Sequence, residues 1–200
     1  MAWRPAYLTG ANLRAWMRVA SSSEDALYAD AAEAASRAID RNCGRQFGSV
    51  GPQTRTYTPW WNPRRCCWML TVDDFQATTG LAVTVKNGTI DPTYLKPEPP
   101  NAVVDGKAFI ALSVDPASPI QPCGTENEAG VTLNTWGWAT VPNAVINACR
   151  LQGSRFVTRR DSPYGVAGSP DLGNELRLLA KLDADLKPML SFYVRPRRPV

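Results

Sequence analysis

Apolar residues recur at helical spacing in two separated parts of the chain and at near-alternate spacing between them. Leu27, Ala31, Ala34, Ala35, Ala38 and Ile39 predict one face of a helix that ends near Asn42-Cys43-Gly44. The many alanines raise helix propensity and keep that face thin, so another helix can approach closely, within a subunit or across a subunit boundary. Gly44 suits the left-handed residue that closes a helix. Ser22 and Asp25 have the spacing of a capping box at its start. Ahead of it, Thr9 predicts the cap of a short helix over Asn12 to Arg18, with Leu13, Trp16 and Met17 inward.

From Gly51 to Trp138 the period shortens. TRTY, CCWML, LAVTVK, AFIALSV and VTLNTW are rich in β-branched and aromatic residues and are separated by Gly, Pro, Asn and Asp. Lys86-Asn87-Gly88-Thr89 carries the Asn-Gly pair of tight hairpins. With no long helical pattern between them, these strands predict antiparallel hairpins. Helical order returns after Thr140, with Pro142 in the first turn. Val145, Cys149, Gln152 and Phe156 fall on one face, and Ile146, Gly153 and Val157 on its neighbour. Arg159 and Arg160 lie where a helix C-terminus favours cations. Asp161-Ser162-Pro163-Tyr164-Gly165 is a stop. Ser169-Pro170-Asp171 predicts the start of a further helix with Leu172, Leu176, Leu179, Leu182 and Leu186 as its apolar stripe. Pro188 is expected to end or kink it and to release an extended tail.

The pattern predicts an α+β fold: a helical scaffold of about three or four helices with an inserted antiparallel β lobe and an extended C-terminal tail. The expected divisions are 1–50, 51–138, 139–187 and 188–200. Composition adds exclusions. The 200 residues contain no His, which removes every imidazole triad and the commonest nitrogen metal ligand. Five Cys lack a C-x-x-C spacing, and adjacent Cys66 and Cys67 point to opposite faces of a strand, so reduced thiols are expected in place of a metal site. A formal charge of +4 is too mild to indicate nucleic-acid binding by itself. There is no secretory apolar segment and no run of membrane-spanning length, so synthesis in a reducing cytoplasm is the expectation.

Candidate chemistry is sparse. Asp73 and Asp74 are the best catalytic pair on paper, but neighbours on a strand point apart. No phosphate-binding glycine loop is present. Trp136-Gly137-Trp138 suits structural packing between strand and returning helix, with a stacking platform for sugars or bases as the rival use. The basic runs are Arg64-Arg65, Arg159-Arg160 and Arg195-Pro196-Arg197-Arg198. In the last, Pro on both sides stiffens the chain and Phe192 and Tyr193 precede it as anchors. The result is a candidate docking peptide whose arginines make directional contacts with carboxylates. No catalytic residue, cofactor or metal is expected.

The Tyr7-Leu8 segment, AASRAIDRNCGRQF, TVDDF, VTLNTWGWATVPNAVINACRLQGSRFVTRRDSPYGVAG and the basic tail together resemble bacteriophage head-to-tail adaptor (connector) proteins, particularly those of tailed phages infecting Actinobacteria. The resemblance implies a non-enzymatic virion protein, forming a homo-oligomeric ring of about twelve copies beneath the portal. Such a ring joins capsid to tail and continues the channel for genomic DNA. Implied partners are the portal and a tail-side neck or tail-completion protein, with no membrane. The implied location is the virion neck, after assembly in the host cytoplasm. Portal docking would fall to Phe192, Tyr193, Arg195, Arg197 and Arg198. The β lobe would lie at the ring periphery or meet neck components. A DNA-binding accessory protein and another neck or tail-completion protein are the alternative expectations.

Overall fold

The structure, a computed structural model, describes residues 5–161, 166–167, 176–177 and 185–196. The fold is α+β and divides into two units, one formed by 1–47 with 141–200 and the other by 48–140. The first contains helices α1 (Gly10–Trp16), α2 (Asp25–Cys43), α3 (Asn143–Asp161) and α4 (Leu186–Ser191).

Thr9 caps α1 as its sequence implies, its Oγ1 accepting from the Asn12 N–H at 3.2 Å. Leu13 is fully buried. Trp16 is not inward: it is 50 % exposed, with the Arg150 guanidinium over its ring at 5.5 Å. The capping box at Ser22 does not form. Glu24 occupies the cap of α2 without a side-chain bond to the helix's N–H groups, and Asp25 instead meets Arg14 Nε at 2.8 Å, tying α2 to α1. The buried face of α2 comprises Tyr28, Ala31, Ala32, Ala35, Ser36, Ile39 and Cys43. It is rotated from the predicted face, leaving Ala34 exposed, because the polar Ser36 finds partners inside. Its hydroxyl donates to the Ala32 carbonyl at 2.8 Å, accepts the Tyr7 N–H at 3.0 Å and lies 3.8 Å from Cys149 Sγ. Gly44 closes α2 in the left-handed region at φ 64°, where any side chain would be strained.

On α3 the buried residues are Val145, Ala148, Cys149, Gln152, Gly153 and Val157. A Cβ at Gly153 would stand 2.9 Å from Leu13 Cδ2, so any side chain there would displace the buried Leu13 methyls. Most of the helix predicted over 169–187 lies outside the described residues. Where described, it is contradicted: β11 (Val166–Ala167) pairs antiparallel with β12 (Leu176–Arg177). Strand pairing at Leu176 and Arg177 overrides the helical period of the leucine stripe. Pro188 does not end a helix. It sits in the first turn of α4, where its missing N–H costs nothing, and Leu186 and Leu190 are fully buried.

The second unit is built from β1 (Ser49–Val50), β2 (Gln53–Tyr57), β3 (Trp60–Asn62), β4 (Cys67–Phe75), β5 (Ala82–Val85), β6 (Gly88–Ile90), β7 (Leu95–Glu98), β8 (Phe109–Val114), β9 (Ala129–Leu133) and β10 (Trp136–Gly137). One sheet runs β1-β10-β4-β8-β7 with β3 added beside β4, and the other runs β2-β9-β5-β6. All pairs are antiparallel except β10 with β4. Val85 pairs with Gly88, so the hairpin turns at Lys86-Asn87 and not at the expected Asn-Gly pair, Gly88 being the first residue of β6. Both sheets contribute to one core, with Leu70, Val72 and Leu112 from the first meeting Val83, Val131 and Leu133 from the second. Gly137 has φ 94°, and a Cβ there would collide with the Gly48 carbonyl, so its backbone can pair with β1 only as glycine.

Candidate functional site

The anchors predicted at the basic tail belong to a built cluster at the C-terminal end of α2. Tyr7 donates its hydroxyl to Asp40 Oδ1 and accepts the Phe47 N–H at 2.8 Å. Its ring meets Phe47 edge-on at 5.8 Å, and Phe47 in turn meets Tyr193 edge-on at 5.9 Å. Burial, with the Asp40 carboxylate beside it, pushes the Tyr7 phenol far above its ordinary value, so it stays protonated. The Arg195 N–H donates to the Cys43 carbonyl at 2.8 Å, satisfying one of the acceptors that the end of α2 leaves open.

Residues 188–195 are therefore not a free extended tail. Met189 to Ser191 are helical, Tyr193 packs on Phe47, and Arg195 is held by its backbone. Phe192 stays 48 % exposed and stacks edge-on against Tyr193 at 5.2 Å. Arg197 and Arg198 lie outside the described residues. The arrangement places Pro196, and with it the start of the basic peptide, at a fixed point beside α2.

Next to this point is an open cavity of about 430 Å³ lined by Arg37, Asp40, Arg41, Gly44, Arg45 and Gln46. Arg37 reaches Asp40 Oδ2 at 3.3 Å and donates to the Pro5 carbonyl at 2.6 Å, while exposed Arg41 makes no hydrogen bond or ion pair among the described residues. Their spacing of four residues in RAIDRNCGR puts Arg37 and Arg41 on one helical face. That spacing is the sequence signal for this cavity.

The other candidates resolve as structure. Asp73 accepts from Arg55 Nη1 at 2.7 Å and from Tyr57 Oη at 3.0 Å on the exposed face of β4. Asp74 is buried and accepts from Trp138 Nε1 at 2.9 Å, so the two carboxylates face opposite ways. Trp136 and Trp138 are only 1 % and 2 % exposed, which denies either ring to a stacking ligand. Trp136 Nε1 donates to the Gln53 carbonyl at 2.9 Å, and the Arg55 guanidinium covers its ring at 4.7 Å. Arg65 pairs with Glu98 at 2.7 Å and Arg160 with Glu24 at 3.0 Å. Cys43, Cys67 and Cys149 are buried thiols, and Cys66 and Cys123 are exposed ones. Among the described residues no cluster of Cys, Asp or Glu could hold a metal ion.

Comparison of the chain with protein-family models and with curated protein sequences gave no match.

Proposed function

We propose that this chain is a virion structural protein, a head-to-tail adaptor that forms a homo-oligomeric ring between portal and tail and continues the DNA channel. The observation that carries this reading is the anchored segment Leu186–Arg195. Two buried leucines, the Tyr193–Phe47 contact and the Arg195–Cys43 hydrogen bond hold the base of the basic peptide on the helical unit. A stiff cationic peptide on a rigid base suits capture of carboxylates on a larger protein surface, because little freedom is lost on binding. Repetition around a ring of about twelve copies multiplies weak contacts through effective concentration. Phe192, Arg195, Arg197 and Arg198 are the proposed portal-contacting residues, with Tyr193 as their anchor. The β unit, inserted between α2 and α3, is the proposed contact for tail-side neck components. The chemistry is geometric, and no catalytic step or cofactor is assigned.

A variant lacking Arg197 to Val200 keeps Leu186, Leu190, Tyr193 and Arg195, which anchor the segment, and circular dichroism checks that it folds. Particles made with it should lack stably attached tails, scored by electron microscopy of purified particles and by infectivity. Normal tail joining would sink the docking role. The arginine-lined cavity favours one second reading, a DNA-binding accessory protein. That reading requires duplex binding by the purified chain that weakens steeply with salt and is indifferent to sequence.

A further inference from the structure

α2 carries a charged strip that is exposed among the described residues. At about 100° per residue, Ala26, Asp30, Glu33, Ala34, Arg37 and Arg41 fall within a sector roughly 100° wide. All but the half-buried Arg37 are exposed. Asp30, Glu33 and Arg41 make no hydrogen bond or ion pair among the described residues. The charge is segregated along the helix. Carboxylates occupy the N-terminal half, and arginines line the cavity at the C-terminal end. Between them Arg37 is neutralised by Asp40, and Ala34 offers little bulk.

We propose that this strip docks a second copy of the chain, α2 against α2, antiparallel about a two-fold axis. Antiparallel alignment is the arrangement in which the strip complements itself. With the crossing near residue 37, Glu33 of each copy faces Arg41 of the other. Glu33 and Arg41 lie about 12 Å apart along the helix, so both charge contacts form at once. The Arg37–Asp40 pairs keep the axis free of net charge, and the helix dipoles oppose. Guanidinium forks in a cavity open on one side suit entering carboxylates. Such a contact is isologous and closes at two copies. It does not rest on the ring reading, because a ring closes through heterologous surfaces, and it describes the free chain before assembly.

Sedimentation velocity and light scattering of the purified full chain test this. The wild type should be a pair that weakens as salt rises from about 0.05 to 0.5 M. Glu33→Arg and Arg41→Glu should each weaken pairing about tenfold or more, since each places like charges opposite one another twice. The chain carrying both reversals, and an equimolar mixture of the two single variants, should recover pairing to within about threefold of wild type. Both sites are exposed, and circular dichroism checks that the helices persist. A monomeric wild type, pairing indifferent to salt, single reversals without effect, or failure of either combination to recover would each overturn the proposal. Rings in purified necks alongside a monomeric free chain would remove the pair and leave the adaptor reading standing. A paired chain absent from particles would do the reverse.

Discussion

Single side chains in this protein matter most where one polar atom serves two buried partners. The Tyr7 hydroxyl is such an atom, donating to Asp40 and accepting from the Phe47 N–H. Tyr7→Phe should cost about 1–3 kcal/mol, since it strands a backbone donor and removes a donor from a carboxylate. Denaturant titration of the variant measures this, with the midpoint falling and the slope unchanged. The thiols give a second residue-level expectation. Burial pushes Cys43 up to about 11 and Cys149 up to about 12. Their ordinary value is 9.0, so below pH 9 they are protonated in both the folded and unfolded chain and the fold keeps its full stability. As pH rises from 9 through 11 and 12 the unfolded chain releases its protons first, and stability should fall. Mass spectrometry after brief alkylation at neutral pH should find Cys66 and Cys123 labelled and Cys43, Cys67 and Cys149 protected until denaturant is added.

At the scale of elements, pattern and packing part company in instructive places. The strands in TRTY, CCWML, LAVTVK, AFIALSV and VTLNTW all form, since β-branched and aromatic runs bounded by turn residues carry their own signal. Strands β1, β3, β7 and β10 were not legible. They are only two to four residues long, and β7 includes Pro97, which is tolerated because β7 lies at the edge of its sheet. The cap at Thr9 and the left-handed Gly44 were legible because local hydrogen bonding and backbone sterics decide them. The Ser22 box was not, because Arg14 from another helix takes Asp25. Gly153 shows how narrowly α1 and α3 are matched. Gly153→Ala would force Leu13 aside and should cost about 1–3 kcal/mol despite the gain in helix propensity, read as a lowered melting temperature.

At the scale of the whole molecule, the chain leaves the helical unit after Phe47 and returns to it at Val141. The two ends of the β unit lie side by side within that unit: β1 pairs with β10, and the Trp138 N–H donates to the Gly48 carbonyl at 2.7 Å. An insertion closed at its base in this way, with its own apolar core, has the properties of an independent folding unit. Residues 48–140 produced alone should therefore unfold cooperatively and give a dispersed amide spectrum. A collapsed, non-cooperative product would show that its core depends on the remaining chain.

The candidate site divides along similar lines. Phe192, Tyr193 and Arg195 could be picked out because aromatic and basic residues between prolines stand out from their surroundings. Their receptacle of Tyr7, Asp40, Cys43 and Phe47 could not, because three-dimensional closure joins segments more than 140 residues apart in the sequence. By itself the sequence determined what short-range physics controls: the longer helices and strands outside 169–187, the Thr9 and Gly44 caps, the α+β class and the absence of imidazole chemistry. Only the tertiary structure decided which face of α2 is buried, that Asp73 and Asp74 serve different partners, and that the supposed free tail is pinned as far as Arg195. Those outcomes depend on competition among distant groups for the same few hydrogen bonds and the same buried volume, and no local pattern encodes the winner.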